Sequence, residues 1–144
     1  MSYIYIAGPL FNMHERWYLE RIAEVLEGAG YRTFLPHREA GVLDELTLAE
    51  RGRVFDTDMK ALDACDLCVA LLTGADQDAG TSAEIGYLSA QGIPCIGITD
   101  DVRGLNNMIW GFCNRGQNIV KRIDELLPLV ETILNRRYAE SGKR

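Results

Sequence analysis

The sequence predicts an α/β fold, a five-stranded parallel sheet with helices on both faces, and three observations carry the prediction. Short apolar, β-prone runs alternate with amphipathic stretches in the order βαβαβαβ before the last third of the chain. The amphipathic stretches are long enough to serve as the crossovers that parallel neighbours require, and such crossovers are right-handed. Finally, 144 residues suit one hydrophobic core, and no repeat or Gly/Ser-rich linker divides the chain, so residues 1–144 are read as one domain. Five strands make the expected order flavodoxin-like, a Rossmann-like arrangement.

The elements follow in order. Tyr3 to Ala7 reads as the first strand, broken by Gly8-Pro9. Leu19, Ile22, Ala23, Val25 and Leu26 recur at helical spacing between Glu15 and Gly28, and Gly28 and Gly30 end that helix. Tyr31 to Leu35 is a second strand closed by Pro36, and the polar stretch from His37 to about Leu46 is a loop or broken helix suited to covering a site. A helix is predicted from Leu48 to Ala64 and a third strand from Asp66 to Leu72. Thr81 to Gln91 reads as a helix stopped by Gly92, and Ile93 to Ile98 as the fourth strand. After the polar TDDVRG turn come a short segment from Leu105 to Phe112, a fifth strand near Asn118 to Val120, and an amphipathic helix from about Arg122 to Tyr138 with a fraying tail.

Composition narrows the function. A formal charge of -6 argues against a nucleic-acid polymer or an anionic membrane as partner, because both are bound by clustered Lys and Arg. The substrate is expected to be small and weakly charged. No stretch approaches the roughly 20 apolar residues of a membrane span, and MSYIYIAG begins a strand rather than a basic leader, so a cytoplasmic location is expected. Cys65 and Cys68 form one CxxC, with no second CxxC or His pair to complete a zinc site. Cys68 lies in the apolar run LCVALL, and Cys95 and Cys113 also read as packed thiols. His14 and His37 have no partner at ligand spacing, so neither a metal nor another cofactor is expected.

The chemistry is expected in DAGTSAEIG, residues 78 to 86. Asp78 would leave the third strand in a loop and Glu84 would lie about one turn into the next helix. Both would face a crevice at the carboxyl edge of the sheet, where open α/β sheets bind ligands. The bland alternatives are a loop aspartate and a first-turn helix glutamate favoured by the macrodipole.

Four motifs stand in order: IYIAGPLF from Ile4, DMKALDACDLCVALL from Asp58, DAGTSAEIGYLSAQGIP from Asp78, and NNMIWG from Asn106. Together they resemble the nucleoside 2-deoxyribosyltransferase family, over most of the chain through Gly111. The resemblance implies that Glu84 is the nucleophile attacking the anomeric carbon of a 2′-deoxynucleoside. It also implies that Asp58 and Asp78 engage the base and supply or relay its proton, and that Tyr5 orients the glutamate. Asn106 and Met108 would be contributed by a neighbouring subunit near the sugar, and Gly8 and Gly80 join the substrate-binding positions. The implied partners are a 2′-deoxynucleoside, a free nucleobase and further copies of the chain, in a homo-oligomer of two or more subunits serving nucleoside salvage.

These residue types suit the reaction. Cleaving an N-glycosidic bond develops positive charge on the sugar and negative charge on the departing base, so a carboxylate beneath C1′ and an acid beside the base address both. A carboxylate nucleophile divides transfer into two displacements through a glycosyl-glutamate, with retention and ping-pong kinetics. Glu84 is expected to stay ionised with help from Tyr5 and the helix start; either aspartate can be the acid.

Gly8-Pro9 invites comparison with phosphate-binding loops, but neither GxGxxG nor GxxxxGK[ST] occurs, and Pro9 lacks a backbone donor. The related 2′-deoxynucleoside 5′-monophosphate N-hydrolases carry a Ser- and Arg-containing glycine loop where this chain has AGPLFNM; Arg16 is the nearest cation. Base transfer is therefore ranked above nucleotide N-glycosidase activity, and both above a noncatalytic nucleoside- or nucleotide-binding module.

Overall fold

The computed structural model describes residues 2–40, 47–74 and 76–142. Five strands form one parallel sheet: β1 (Tyr3–Ala7), β2 (Arg32–Phe34), β3 (Leu67–Leu71), β4 (Cys95–Ile98) and β5 (Ile119–Val120). Their order is β2-β1-β3-β4-β5, the flavodoxin-like order. The register sets Tyr5 beside Phe34 on one side and Cys68 on the other.

Strand alternation divides the core in two. Ile4, Ile6, Leu67, Val69, Ile96 and Ile98 face α1 (Met13–Gly28) and α6 (Leu126–Ser141), whose Leu19, Ile22, Leu26, Leu126, Val130 and Leu134 are buried against them. Tyr5, Ala7, Cys68, Ala70 and Cys95 face the other layer: α3 (Leu48–Ala64), α4 (Ala79–Ala90) and α5 (Asn107–Phe112). On that face the Tyr5 and Phe34 rings stack at 5.2 Å. All four cysteines are free and buried.

Local chemistry explains where elements begin and end. Asn12 caps α1 by accepting from the Glu15 amide, and Glu15 reaches back to the Asn12 amide, so the helix starts two residues earlier than its apolar spacing implied. Gly30, at φ 92°, makes the left-handed turn into β2. Asp66 accepts from the Tyr3 amide at 2.8 Å and so ties the start of β3 to that of β1.

The stretch after β2, expected as a loop or a broken helix, opens with a single helical turn, α2 (Pro36–Glu39), held because Arg38 pairs with Glu20 and Glu27 of α1 and His37 Nε2 lies 2.9 Å from Glu20. His37 thus has a partner that spacing did not reveal; the rest of the expected covering loop, residues 41–46, lies outside the described residues. Strands β2 and β5 are only three and two residues long, because their pairing with β1 and β4 ends there. The last helix follows a 3-10 turn (Ile123–Glu125) and does not fray at Ala139. It runs to Ser141, tied by a Tyr138–Ser2 hydroxyl pair at 2.7 Å and by Arg137 donating to the Gly92 carbonyl at 3.0 Å.

No helix among the described residues is long and apolar enough to cross a membrane. The turn from β1 to α1 passes so close to both neighbours that a Cβ on Gly8 would lie 2.7 Å from Leu19 Cδ2 and 3.1 Å from Leu71 Cβ. Gly8→Ala should therefore destabilise the protein by about 1–3 kcal/mol through overpacking, read as a lower midpoint in urea unfolding. An unchanged midpoint would mean that the two leucines yield without strain.

Candidate functional site

The order β2-β1-β3 places a topological switch point between β1 and β3, and four of the residues singled out by sequence converge there. Tyr5 comes from the middle of β1, on the face covered by α3 and α4. Asp58 comes from α3, Asp78 is the N-cap of α4, and Glu84 lies on α4 beyond its first turn. Asp78 Oδ2 accepts from the Thr81 amide at 2.9 Å and from the Thr81 hydroxyl at 2.8 Å. This cap starts α4 where it does and so sets the height of Glu84 above the sheet.

The electrostatics of the group are those of charges held away from water. Burial pushes the Glu84 carboxyl up to about 7; Tyr5 opposes the rise, and the nearby Asp58 and Asp78 carboxylates add to it. Burial alone pushes Asp58 up to about 6. Tyr5, fully buried, is driven well above the ordinary phenol value by burial, then by the charges of Glu84 and Asp58. Burial thus works against the ionisation that Tyr5 and the helix start are expected to support. The helix dipole acts on the first turn, which Glu84 lies beyond, and desolvation dominates there.

Two polar atoms in this group have no partner among the described residues: the Tyr5 hydroxyl and Asp58 Oδ1. The Tyr5 hydroxyl nevertheless lies near enough to Glu84 to lower its pKa, an approach that stops short of full hydrogen-bond geometry. Unpaired buried polar atoms are rare in native proteins and need a reason. Here two of them flank one raised carboxyl.

Asn106 and Met108 stand at the start of α5, which packs against α4. Asn106 caps α5, accepting from the Met108 amide at 2.8 Å, and both line a cavity of about 550 Å³ with Asp76, Ser82 and Phe112. Gly80 sits in the first turn of α4, where a Cβ would touch Asp78 at an ordinary 3.4 Å. Gly8 is explained by packing. Among the described residues, no group of three or more His, Cys, Asp or Glu is placed to hold a metal ion.

Sequence reasoning missed Thr81, Asn12 and Glu15, and it named Arg16 without its partner. Thr81 fixes Asp78, a partnership legible as an Asp followed three residues later by a hydroxyl. Asn12 and Glu15 close the N-terminus of α1 on itself: Glu15 Oε1 accepts from the amides of Phe11 at 3.1 Å and Asn12 at 3.2 Å. The N-x-x-E pattern was the available signal. Arg16, the nearest cation to that turn, donates to the Leu10 carbonyl at 2.7 Å, a contact with no sequence signature.

The sequence model described as nucleoside 2-deoxyribosyltransferase matches residues 4–128. An uncharacterized protein of Schizosaccharomyces pombe is 31% identical over 122 residues, 75% of this chain, and the chain spans 58% of that relative's length. A conserved protein from Enterococcus faecalis superposes with a TM-score of 0.79 at 27% identity, covering 92% of this chain and 98% of its own. A 2-deoxyribosyltransferase from Bacillus psychrosaccharolyticus gives 0.75 at 21%, covering 87% and 90%. A CMP N-glycosidase from Clostridium botulinum gives 0.62 at 21%, covering 90% and 99%. At these identities the last two speak to the fold.

The raised carboxyls make a prediction independent of any substrate. A carboxyl whose folded pKa lies above its unfolded value favours folding while protonated, below about 4.5, and loses that contribution as pH rises through about 7. Glu84→Gln, which carries no charge, should therefore be more stable than the parent at pH 8, by roughly 2 kcal/mol, and nearly equal to it at pH 4. Urea unfolding at the two pH values reads this, and an equal difference at both would contradict a desolvated Glu84.

Proposed function

The chain belongs to the nucleoside 2-deoxyribosyltransferase family, and from that premise we propose that it moves the 2-deoxyribosyl group between nucleobases with Glu84 as nucleophile. The observation that carries the proposal is the convergence at the β1–β3 crevice of one partly buried glutamate, a phenol beside it and two further carboxyls. Ionised Glu84 attacks C1′; its electron pair forms the new C–O bond while the C–N bond breaks toward the base. The base takes a proton as it leaves, and a second base then displaces the glutamate.

Their hydrogen bonding supports different roles for the two aspartates. Asp78 serves its helix as a hydrogen-bond acceptor, with Oδ2 engaged twice by Thr81. Asp58, raised to about 6 with an unpartnered Oδ1, is the better proton donor. Transfer then needs Glu84 ionised and Asp58 protonated at the moment of attack.

The turn between β1 and α1 favours a nucleoside over a nucleotide. A phosphate there would need the first amides of α1 and a free cation. The amides of Phe11 and Asn12, immediately before α1, serve the Glu15 carboxylate, the Glu15 amide serves Asn12, and Arg16 donates to the Leu10 carbonyl. The second reading, an N-glycosidase that lets water take the sugar, uses the same glutamate; the likeness to the C. botulinum N-glycosidase fold keeps it in view. Asn106 lines a cavity with Ser82 of α4, and Met108 and Trp110 beside it are exposed apolar side chains, so the sugar end of the site is proposed to be completed by a second subunit.

Incubation with 2′-deoxyinosine and adenine should give 2′-deoxyadenosine and hypoxanthine, fastest between about pH 6 and 7, with Glu84→Ala inactive. Free 2-deoxyribose as the product despite excess adenine would instead establish the N-glycosidase reading. If subunits share sites, Glu84→Ala and Asn106→Ala, each impaired alone, should regain part of the activity when unfolded and refolded together. No recovery in mixed oligomers would place Asn106 and Glu84 in the same chain's site or take Asn106 out of it.

A further inference from the structure

We propose that Tyr87 and Asp63 are positioning residues: the hydrogen bond between them ties α3 to α4 and so sets how far Asp58 stands from Glu84. The inference rests on the transfer reading for its catalytic meaning, and on geometry alone for the coupling.

Both carboxyls ride on crossover helices. α3 leads into β3 and α4 leads out of it, on the same face of a parallel sheet, so both helices run from the carboxyl edge toward the amino edge. Asp63 lies five residues beyond Asp58 on α3, and Tyr87 three beyond Glu84 on α4, about 7.5 and 4.5 Å along the two axes. The bond therefore sits below both acids, on the side away from the crevice.

The Tyr87 hydroxyl donates to Asp63 Oδ1 at 2.5 Å, the short distance found for a hydroxyl on a carboxylate. Its ring is partly buried against the core that holds Leu62, Ile85 and Leu88, so the hydroxyl is delivered by a packed side chain. Among the described residues, no other side-chain hydrogen bond and no ion pair joins α3 to α4.

One bond matters here because little else holds α3. Of its 17 residues only Ala61 and Leu62 are buried, both next to Asp63 in the last turn. The turns above carry no buried residue, and Leu48 and Phe55 there are exposed. Asp58 lies just above this anchor, and its Oδ1 has no hydrogen bond to fix it. A change of about 10° in helix tilt about the anchored end moves a group 7.5 Å away by about 1 Å. A misplacement of about that size can cost on the order of 100-fold in rate.

The titratable groups facing Glu84 are Tyr5 on β1, Cys68 on β3, Asp58 on α3 and Asp78 on α4; those facing Asp58 are Glu84 and Tyr5. Tyr5 and Cys68 are fixed by strand pairing and Asp78 by Thr81. That leaves α3 as the part whose placement the bond decides.

The pair lies at the surface and can be altered without opening the core. Tyr87→Phe keeps the ring and removes the bond. It should lower kcat for base exchange at least fivefold with KM changed less than twofold. The Asp58 carboxyl, followed by carbon-13 NMR titration, should titrate at lower pH as water reaches it. Asp63→Ala should do the same, and the double variant should be no worse than either single one. Asp63→Asn, whose amide oxygen still accepts, should keep most of the parent rate. Asp58 titrating in Tyr87→Phe as in the parent, or Asp63→Asn as impaired as Asp63→Ala, would overturn the proposal. If the parent exchanged no base, the transfer reading would fall, and the Asp58 titration would still decide whether the bond places Asp58.

Discussion

A glutamate held mostly out of water beside a buried phenol is the constraint on which the rest of this structure depends. Desolvation works against the charge of Glu84, and two neighbouring carboxylates raise its pKa further. Such a group persists only where the surroundings hold it in place. Tyr5 sits in a central strand with its ring stacked on Phe34, and α4 is held at its start by Asp78 and Thr81 and along its length by Ile85 and Leu88 in the core. The architecture delivers the carboxyl to the crevice and keeps water from neutralising its effect.

The same logic extends to the turn after β1. Helix N-termini following a glycine turn attract anions, yet this one supplies its own in Glu15. Gly8 has no room for a side chain because Leu19 and Leu71 close on it, so the turn presses against the core. A fold that often binds phosphates at this position has, here, used the position for capping and packing. That leaves the crevice chemistry to carboxyls and a phenol, a set suited to a neutral sugar and a base that needs a proton.

Much of the fold was legible because its signals are local. The apolar runs at β1, β3 and β4 and the helical spacing of α1, α3 and α4 mark those elements within a few residues. What was not legible depended on partners distant in sequence. The turn α2 rests on Arg38 reaching Glu20 and Glu27, and the C-terminal extension of α6 rests on Ser2 and Gly92, respectively 136 and 45 residues from their partners. In the candidate site, spacing pointed to Asp78 and Glu84, and the motifs added Tyr5 and Asp58. None of these signals distinguished the two aspartates; one is a satisfied helix cap and the other has an orphaned oxygen.

By itself the sequence determined the parallel α/β class, the strand count and the acids to watch, because periodicity and turn residues are written along the chain. Tertiary structure raised the pKa of Glu84 and Asp58, since burial is a property of what packs around a residue and not of its neighbours in sequence. It also decided that Leu19 and Leu71 close on Gly8, and that Tyr5 and Asp58 come close enough to Glu84 to shift its pKa. Each of these depends on distances across the fold, which no local pattern encodes.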